Sequence, residues 1–90
     1  MTNASEPITR VVFRVFTGRN GGDLIALFPD LKGWGRGECD SYQHIGQHGA
    51  ADYNSVILGS RPATEAEYAP LKAELEAAPY RYRLQVRRRR

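Results

Sequence analysis

The sequence predicts a small α+β domain, in which one main helix packs on one face of a small antiparallel sheet. Three observations indicate this fold class. Two apolar runs flank a glycine-rich turn near the N-terminus, a capped amphipathic segment begins near residue 64, and apolar residues alternate strictly near the C-terminus. Strands followed by one helix and a returning strand are typical of a two-layer α+β domain.

Length and composition favour a single globular domain. Hydrophobic residues make up 41% of the 90 residues and charged residues 26%, which argues against general disorder. We expect a flexible arm at residues 1–8, the domain at 9–87 and a basic tail at 88–90. The lone cysteine, Cys39, excludes an intrachain disulfide, and the chain shows neither a signal peptide nor an apolar stretch of membrane-spanning length. The sequence therefore predicts a cytoplasmic protein with no membrane contact.

A β-hairpin is the first predicted element. Residues 8–16 (ITRVVFRVF) and 23–28 (DLIALF) are rich in β-branched and aromatic side chains, which favours strands. The pair Asn20-Gly21 between them tolerates the positive φ angles of a tight turn. A two-residue loop at this pair would place Phe13 opposite Phe28, whereas a longer loop would shift the register.

Both faces of this hairpin are apolar, so each face needs a cover. The main helix can supply only one of them. The second would be the chain's own loops or another copy of the molecule, which favours a homodimer.

The middle of the chain is less regular. Residues 29–37 (PDLKGWGRG) predict a loop, in which Trp34 would either stack on a partner or fold back on the edge of the core. Residues 38–45 predict a third strand. Residues 50–59 stay open between a helix and a short buried strand, because periodicity does not decide so brief a run.

The main helix is predicted at about residues 64–78. Thr64 and Glu67 have the spacing of a capping box, which marks a helix N-terminus. An apolar stripe follows at three- and four-residue steps: Tyr68, Leu71, Leu75 and Ala78. Pro70 would kink the helix or mark a later start, and Pro79 ends it.

The C-terminal residues combine a predicted strand with most of the positive charge. Residues 80–87 (YRYRLQVR) alternate apolar with charged or polar side chains, as in a half-buried strand. Six of the 13 basic residues follow position 79, so residues 1–79 carry 7 basic and 10 acidic groups. Arginines on one sheet would form a basic face: Arg10, Arg14, Arg81, Arg83 and Arg87. Such a face attracts phosphate backbones, although a terminal charge run is also typical of a solvated end.

The most unusual stretch is QHIGQHGA at residues 43–50, which contains the only two histidines of the chain. His44 and His48, with Tyr42, are candidate catalytic residues, since two imidazoles can act as acid and base near neutral pH, for example on RNA. Cys39 with both histidines has a spacing that could suit zinc, but on a strand Cys39 and His44 would point to opposite faces. We therefore predict no metal ion and no cofactor.

Two further interpretations of this stretch remain open. Glutamine and histidine side chains can satisfy backbone groups in a tight polar turn, with Gly46 and Gly49 supplying unusual backbone angles. Alternatively, the stretch contacts a nucleic acid or a protein partner. The candidate binding residues are Gln43, His44, Gln47, His48, Trp34, Arg14, Arg81, Arg83 and Arg87.

Three segments resemble an uncharacterised group of small phage and bacterial proteins. They are SYQHIGQHG at residues 41–49, RPATEAEYAPLKAEL at 61–75 and YRLQVR at 82–87. The resemblance implies an intracellular accessory protein from phage-related genes, and it implies no reaction, cofactor or catalytic residue. The sequence thus predicts a small binding or accessory module that contacts nucleic acid, with a histidine-dependent nuclease or a metal-binding protein as the alternative.

Overall fold

The structure is a computed structural model that describes residues 8–18, 21–33, 35–44 and 47–88. Within these residues the elements follow in chain order as β1 (Thr9–Phe16), β2 (Leu24–Lys32), β3 (Glu38–Gln43), β4 (Gln47–Asp52), α1 (Tyr53–Leu58), β5 (Ser60–Pro62), α2 (Glu65–Glu76) and β6 (Leu84–Arg87). The predicted α+β class is confirmed. Neither helix in this part of the chain has the length and apolar character that crossing a membrane requires.

The described strands form one sheet in the order β4-β3-β2-β1-β5, with β6 also paired to β1. β5 lies antiparallel to residues 14–16 of β1, and β6 lies parallel to residues 9–12, so two short strands share one edge. The antiparallel arrangement predicted for the C-terminal strand is therefore wrong. Helix α2 and the residues after it cross one face of the sheet. The chain then forms β6 at the edge of the sheet, parallel to β1.

The predicted N-terminal hairpin is present, but its loop is longer than two residues. Phe13 pairs with Ala26 instead of Phe28. The loop is closed where the Phe16 amide donates to the Asp23 carbonyl oxygen at 2.8 Å, and Asn20 lies outside the described residues. A shift of two residues leaves every side chain on its expected face, because side chains alternate with a period of two.

Each face of the sheet carries its own buried apolar cluster. The first cluster joins strand residues to α2: Val11, Phe13, Ala26, Phe28, Tyr42, Leu71 and Leu75. The second cluster is packed with residues of α1: Val12, Ile25, Leu27, Cys39 and Tyr53. Helix α1 lies in the segment that periodicity left open, and it covers the second face of the hairpin. The chain therefore supplies both covers itself, and the hairpin faces do not require a second copy of the molecule.

Helix α2 begins as its capping signal predicts. The Thr64 hydroxyl accepts from the Glu67 amide at 3.2 Å, and the Glu67 carboxylate accepts from the Thr64 amide at 2.8 Å. Arg61 also donates two hydrogen bonds to this carboxylate, at 2.8 and 2.6 Å. These bonds, above all those from Arg61, lower the pKa of Glu67 to about 2. Pro70 lies inside the helix without ending it.

The C-terminal segment, defined as residues 80–88, shows the predicted alternation of burial. Four side chains are partly buried: Tyr80, Tyr82, Leu84 and Val86. Their neighbours are exposed: Arg81, Arg83, Gln85 and Arg87. Only its last part forms a strand, because Arg81 has a φ of +55° and Tyr82 stacks on Phe28, with 5.2 Å between ring centroids. The segment thus crosses the sheet face before it joins the edge.

Candidate functional site

The QHIGQHGA stretch closes a β-hairpin between β3 and β4. Tyr42 pairs with His48 and Gln43 pairs with Gln47, so residues 44–46 form the connection. Ile45 and Gly46 lie outside the described residues. Direct pairing places Tyr42 and His48 on the same face of the sheet, the face covered by α2. Sequence reasoning expected a strand and a polar turn here, and it did not anticipate β4.

Glu74 of α2 joins two of the predicted site residues. The Tyr42 hydroxyl donates to one carboxylate oxygen, and Nδ1 of His44 lies 2.5 Å from the other. Tyr42 is buried, whereas the His44 side chain is 64% exposed. The hydrogen bond from Tyr42, with a smaller contribution from His44, lowers the pKa of Glu74. The ionised carboxylate therefore orients the imidazole and leaves its Nε2 unengaged by Glu74.

A pocket of about 680 Å³ opens beside His44. It lies between the ends of the two hairpins and α2, and its polar lining consists of Asp23, Gln43, His44, Gln47 and Glu74. Two leucines and a proline supply the apolar part. Its volume falls in the range of small-molecule sites, about 300–1,000 Å³. Three of the predicted binding residues thus share one concave surface.

His48 occupies a different environment from His44. Its ring makes edge contacts with Tyr42 and Tyr80, at centroid distances of 4.7 and 5.3 Å. It lines a separate cavity together with Glu38 and Asp40. The two imidazoles therefore do not face a common cleft, which weakens the idea of an acid and base pair acting on one substrate.

Cys39 does not join the histidines. It lies in the apolar cluster with Tyr53, on the face of the sheet opposite to Tyr42 and His48. Among the described residues, no group of three His, Cys, Asp or Glu side chains is placed to hold a metal ion. Cys39, His44 and His48 are therefore not arranged to bind one zinc ion.

The Arg14 side chain is buried and makes hydrogen bonds within the fold. It is 6% exposed, and its guanidinium donates to Ser60 Oγ at 2.9 Å, to the Ser60 carbonyl oxygen at 2.7 Å and to the Ile57 carbonyl oxygen at 3.1 Å. Burial lowers its pKa, and the nearby charge of Arg88 adds to this effect. These contacts tie β1 to α1 and β5, so this guanidinium is occupied inside the fold.

The remaining cations divide into two groups. Arg10 forms an ion pair with Asp30, and Arg61 forms one with Glu67. By contrast, the ion pairs found among the described residues do not include Arg81, Arg87 or Arg88. Trp34 lies outside the described residues. Lys32 and Arg36 are likewise absent from those ion pairs, so cations without a carboxylate partner among the described residues lie both around the β2–β3 connection and in the C-terminal segment.

The hairpin and the basic strand lie at opposite edges of the sheet. β4 forms one edge and β6 the other, which corresponds to about 19 Å at the usual strand spacing. Only the start of the C-terminal segment reaches the hairpin, where Tyr80 contacts His48. The structure thus separates two features that the sequence had suggested as one surface. Sequence reasoning also missed Glu74, although its position next to the apolar stripe of α2 places it near the sheet.

Comparisons with known proteins leave the chain without a family assignment. No family model, curated protein or solved structure matches it. The resemblance to small phage and bacterial proteins stays a prediction.

Proposed function

We propose that the protein is a small binding module that contacts the phosphate backbone of a nucleic acid through the C-terminal segment. The observation that carries this proposal is the alternation of burial along residues 80–87. Four apolar side chains anchor the segment against the sheet, so the arginines between them point outward from a fixed backbone. Cations held on a fixed backbone lose less conformational entropy on binding than those of a loose tail do.

The distribution of ion pairs supports the same surface. Arg10 and Arg61 are each neutralised by a carboxylate, and Arg14 is buried in contacts with the chain's own carbonyl groups. Arg87 and Arg88 are exposed and have no carboxylate partner among the described residues. Each phosphate that such a cation neutralises releases condensed counterions, which favours binding at low salt.

The packing of the sheet faces indicates how a nucleic acid would be contacted. Buried apolar clusters occupy both faces of the sheet at β1 and β2, so bases cannot stack on the sheet there. We therefore propose backbone contact without sequence readout, in keeping with an accessory protein from phage-related genes.

The test compares two variants that lose the same charge at different places. Arg87→Gln with Arg88→Gln removes two unmatched cations, whereas Arg10→Gln with Arg61→Gln removes two cations that carboxylates already neutralise. Affinity for a fluorescent single-stranded RNA is measured by anisotropy between 50 and 300 mM salt. We expect the first variant to lower the slope of log K against log[salt] by about 1.4, since each single-strand phosphate contact contributes about 0.7. Equal slopes in the wild type and the first variant would refute the proposal.

A second function is favoured by the linked side chains of Tyr42, Glu74 and His44. Because Glu74 holds Nδ1, His44 could use Nε2 as a general base toward a hydroxyl group bound in the adjacent pocket, such as the 2′-hydroxyl of RNA. The 2′-oxygen would attack the adjacent phosphorus and displace the 5′-oxygen, which leaves with a proton from water, while Glu74 stabilises the imidazolium. This alternative makes the protein a histidine-dependent nuclease.

The nuclease alternative predicts a specific order of effects. His44→Ala should abolish RNA cleavage and Glu74→Gln should reduce it, while His48→Ala should change it little because His48 lines another cavity. Cleavage of a labelled RNA is followed on gels, with circular dichroism as the check on folding. Absence of cleavage by the wild-type protein, or equal loss in all three variants, would rule out this role for His44.

A further inference from the structure

β4 is an edge strand with an open side. Five of its six residues, Gln47–Asp52, are exposed, and among the described strands only β3 pairs with it. Edge strands in proteins that stay monomeric usually carry lysine, proline or a bulge that blocks further pairing. β4 (QHGAAD) contains neither lysine nor proline, and its pairing with β3 continues without interruption from Gln47 to Asp52.

The alternation of hydrogen-bonded positions along β4 identifies which of its backbone groups face the open side. The Tyr53 amide donates to the Gly37 carbonyl oxygen at 3.2 Å, which extends the β3–β4 register by one position. In an antiparallel ladder, hydrogen-bonded positions alternate along the strand. The backbone groups of odd-numbered β4 residues therefore face β3. Those of His48, Ala50 and Asp52 point to the open edge, where a further strand would satisfy them.

We propose that a second copy of this chain pairs with this edge, β4 against β4, in antiparallel orientation around a two-fold axis at Ala50. Residues directly opposite in antiparallel strands share a face of the sheet, so even-numbered residues pair with even-numbered ones. An axis at Ala50 joins three hydrogen-bonded pairs within β4. An axis at Gly49 would join only two, and it leaves Asp52 outside the paired strand.

The chemistry of the strand is complementary to itself in this register. His48 of each copy lies opposite Asp52 of the other, so an imidazole faces a carboxylate at both ends of the interface. Asp52 uses Oδ1 to accept from the Ser55 amide at 3.1 Å, which leaves Oδ2 for the imidazole. The centre of the interface consists of Gly49, Ala50 and Ala51, whose small side chains allow two backbones to approach.

This interface is independent of the proposed nucleic-acid contact, but the two are compatible. A two-fold axis perpendicular to the sheet keeps equivalent faces of the two copies on the same side. The first residues of both C-terminal segments would then lie over the same face of a continuous sheet, with Tyr80 of each copy near the axis through its contact with His48.

The first experiment tests both the partner and the register. Ala50→Cys and Gly49→Cys are each treated with a short bis-maleimide, and Ala66→Cys on the exposed side of α2 is the control. The native thiol, Cys39, is buried, and a side chain at Gly49 meets no atom within 4 Å. We expect covalent dimer mainly with Ala50→Cys. Equal yields from all three variants, or a higher yield from Gly49→Cys than from Ala50→Cys, would overturn the proposal.

The second experiment measures association without a cross-link. Ala50→Pro removes an amide that points away from β3, so it blocks the added strand without breaking a hydrogen bond inside the chain. Ala50→Ser keeps that amide and is the matched control. Sedimentation across a hundredfold concentration range should show dimer for the wild type and for Ala50→Ser, and monomer for Ala50→Pro. A wild type that is monomeric throughout, or an Ala50→Pro variant that folds and associates like the wild type, would refute the interface.

Discussion

The structural environment of Arg14 leads to a prediction that separates folding from binding. Arg14→Met keeps much of the side-chain length and removes the guanidinium that donates to Ser60 and to the Ile57 carbonyl oxygen. Hydrogen bonds to a charged group contribute about 1.5–3 kcal/mol each, and two of the three share one nitrogen. Removing the buried charge also relieves its desolvation cost. We therefore expect the free energy of unfolding to fall by about 2–4 kcal/mol.

The assay is urea unfolding followed by far-ultraviolet circular dichroism, with Arg10→Met as the matched control. Arg10 lies on the same strand and pairs with Asp30 at a partly exposed site, where solvent screens an ion pair so that it contributes little to stability. The Arg14 variant should unfold at clearly lower urea than the Arg10 variant. Under conditions where it is folded, its RNA affinity should show the salt dependence of the wild type. An Arg14→Met protein with unchanged stability and weakened RNA binding would refute the structural assignment of this arginine.

Three further predictions address the helix, the core and the site. The pKa of Glu67 lies at about 2 in the folded protein and near 4.5 when unfolded, so its contribution to stability is present above pH 4.5 and is lost as the pH falls toward 2. Glu67→Gln should flatten the acid dependence of the urea midpoint over that interval, and an unchanged dependence would contradict the Arg61 pairing. Leu75→Ala should cost about 2–5 kcal/mol in urea unfolding because Leu75 is fully buried, whereas Leu58→Ala, at an exposed position, should cost less than about 0.5 kcal/mol. Tyr42→Phe should raise the pKa of the Glu74 carboxyl in a carbon-13 NMR titration, since the lost hydrogen bond is the main cause of its low value, and no change would contradict that contact.

Local signals predicted much of the fold. The capping box at Thr64 and Glu67 located the start of α2, because that pattern satisfies backbone groups within four residues. The period-two pattern assigned the faces of β1 and β2 even though the loop length was open, since a shift of two residues leaves the faces unchanged. The alternation at residues 80–87 likewise predicted which side chains are buried.

Elements held by tertiary contact carried no such signal. β4 contains two alanines and a glycine with no apolar alternation, and pairing with β3 is what makes it a strand. Helix α1 has six residues, too few for periodicity to show, and it forms because Asp52 caps it and Tyr53 is buried in the second cluster. The parallel pairing of β6 depends on the path of the chain across the sheet, which residue patterns do not encode.

The candidate site was predicted in its residues but not in its arrangement. The unusual QHIGQHGA stretch pointed to His44 and His48, and His44 does line a pocket. Its partner Glu74 is 30 residues away on α2, and nothing in the local sequence links the two. The separation of His48 from that pocket follows from strand pairing with Tyr42 and from the ring of Tyr80, which only the folded chain brings together.

The central claim, that the C-terminal segment holds a nucleic-acid backbone, is tested most directly by NMR. Amide chemical shifts of nitrogen-15 labelled protein are recorded during titration with a single-stranded RNA at low salt. The account predicts that the largest changes fall on residues 80–88 and on their neighbours in β1 and β5, and that added salt reverses them. Changes confined to the pocket around His44 and Gln47, or no changes at saturating RNA, would contradict it.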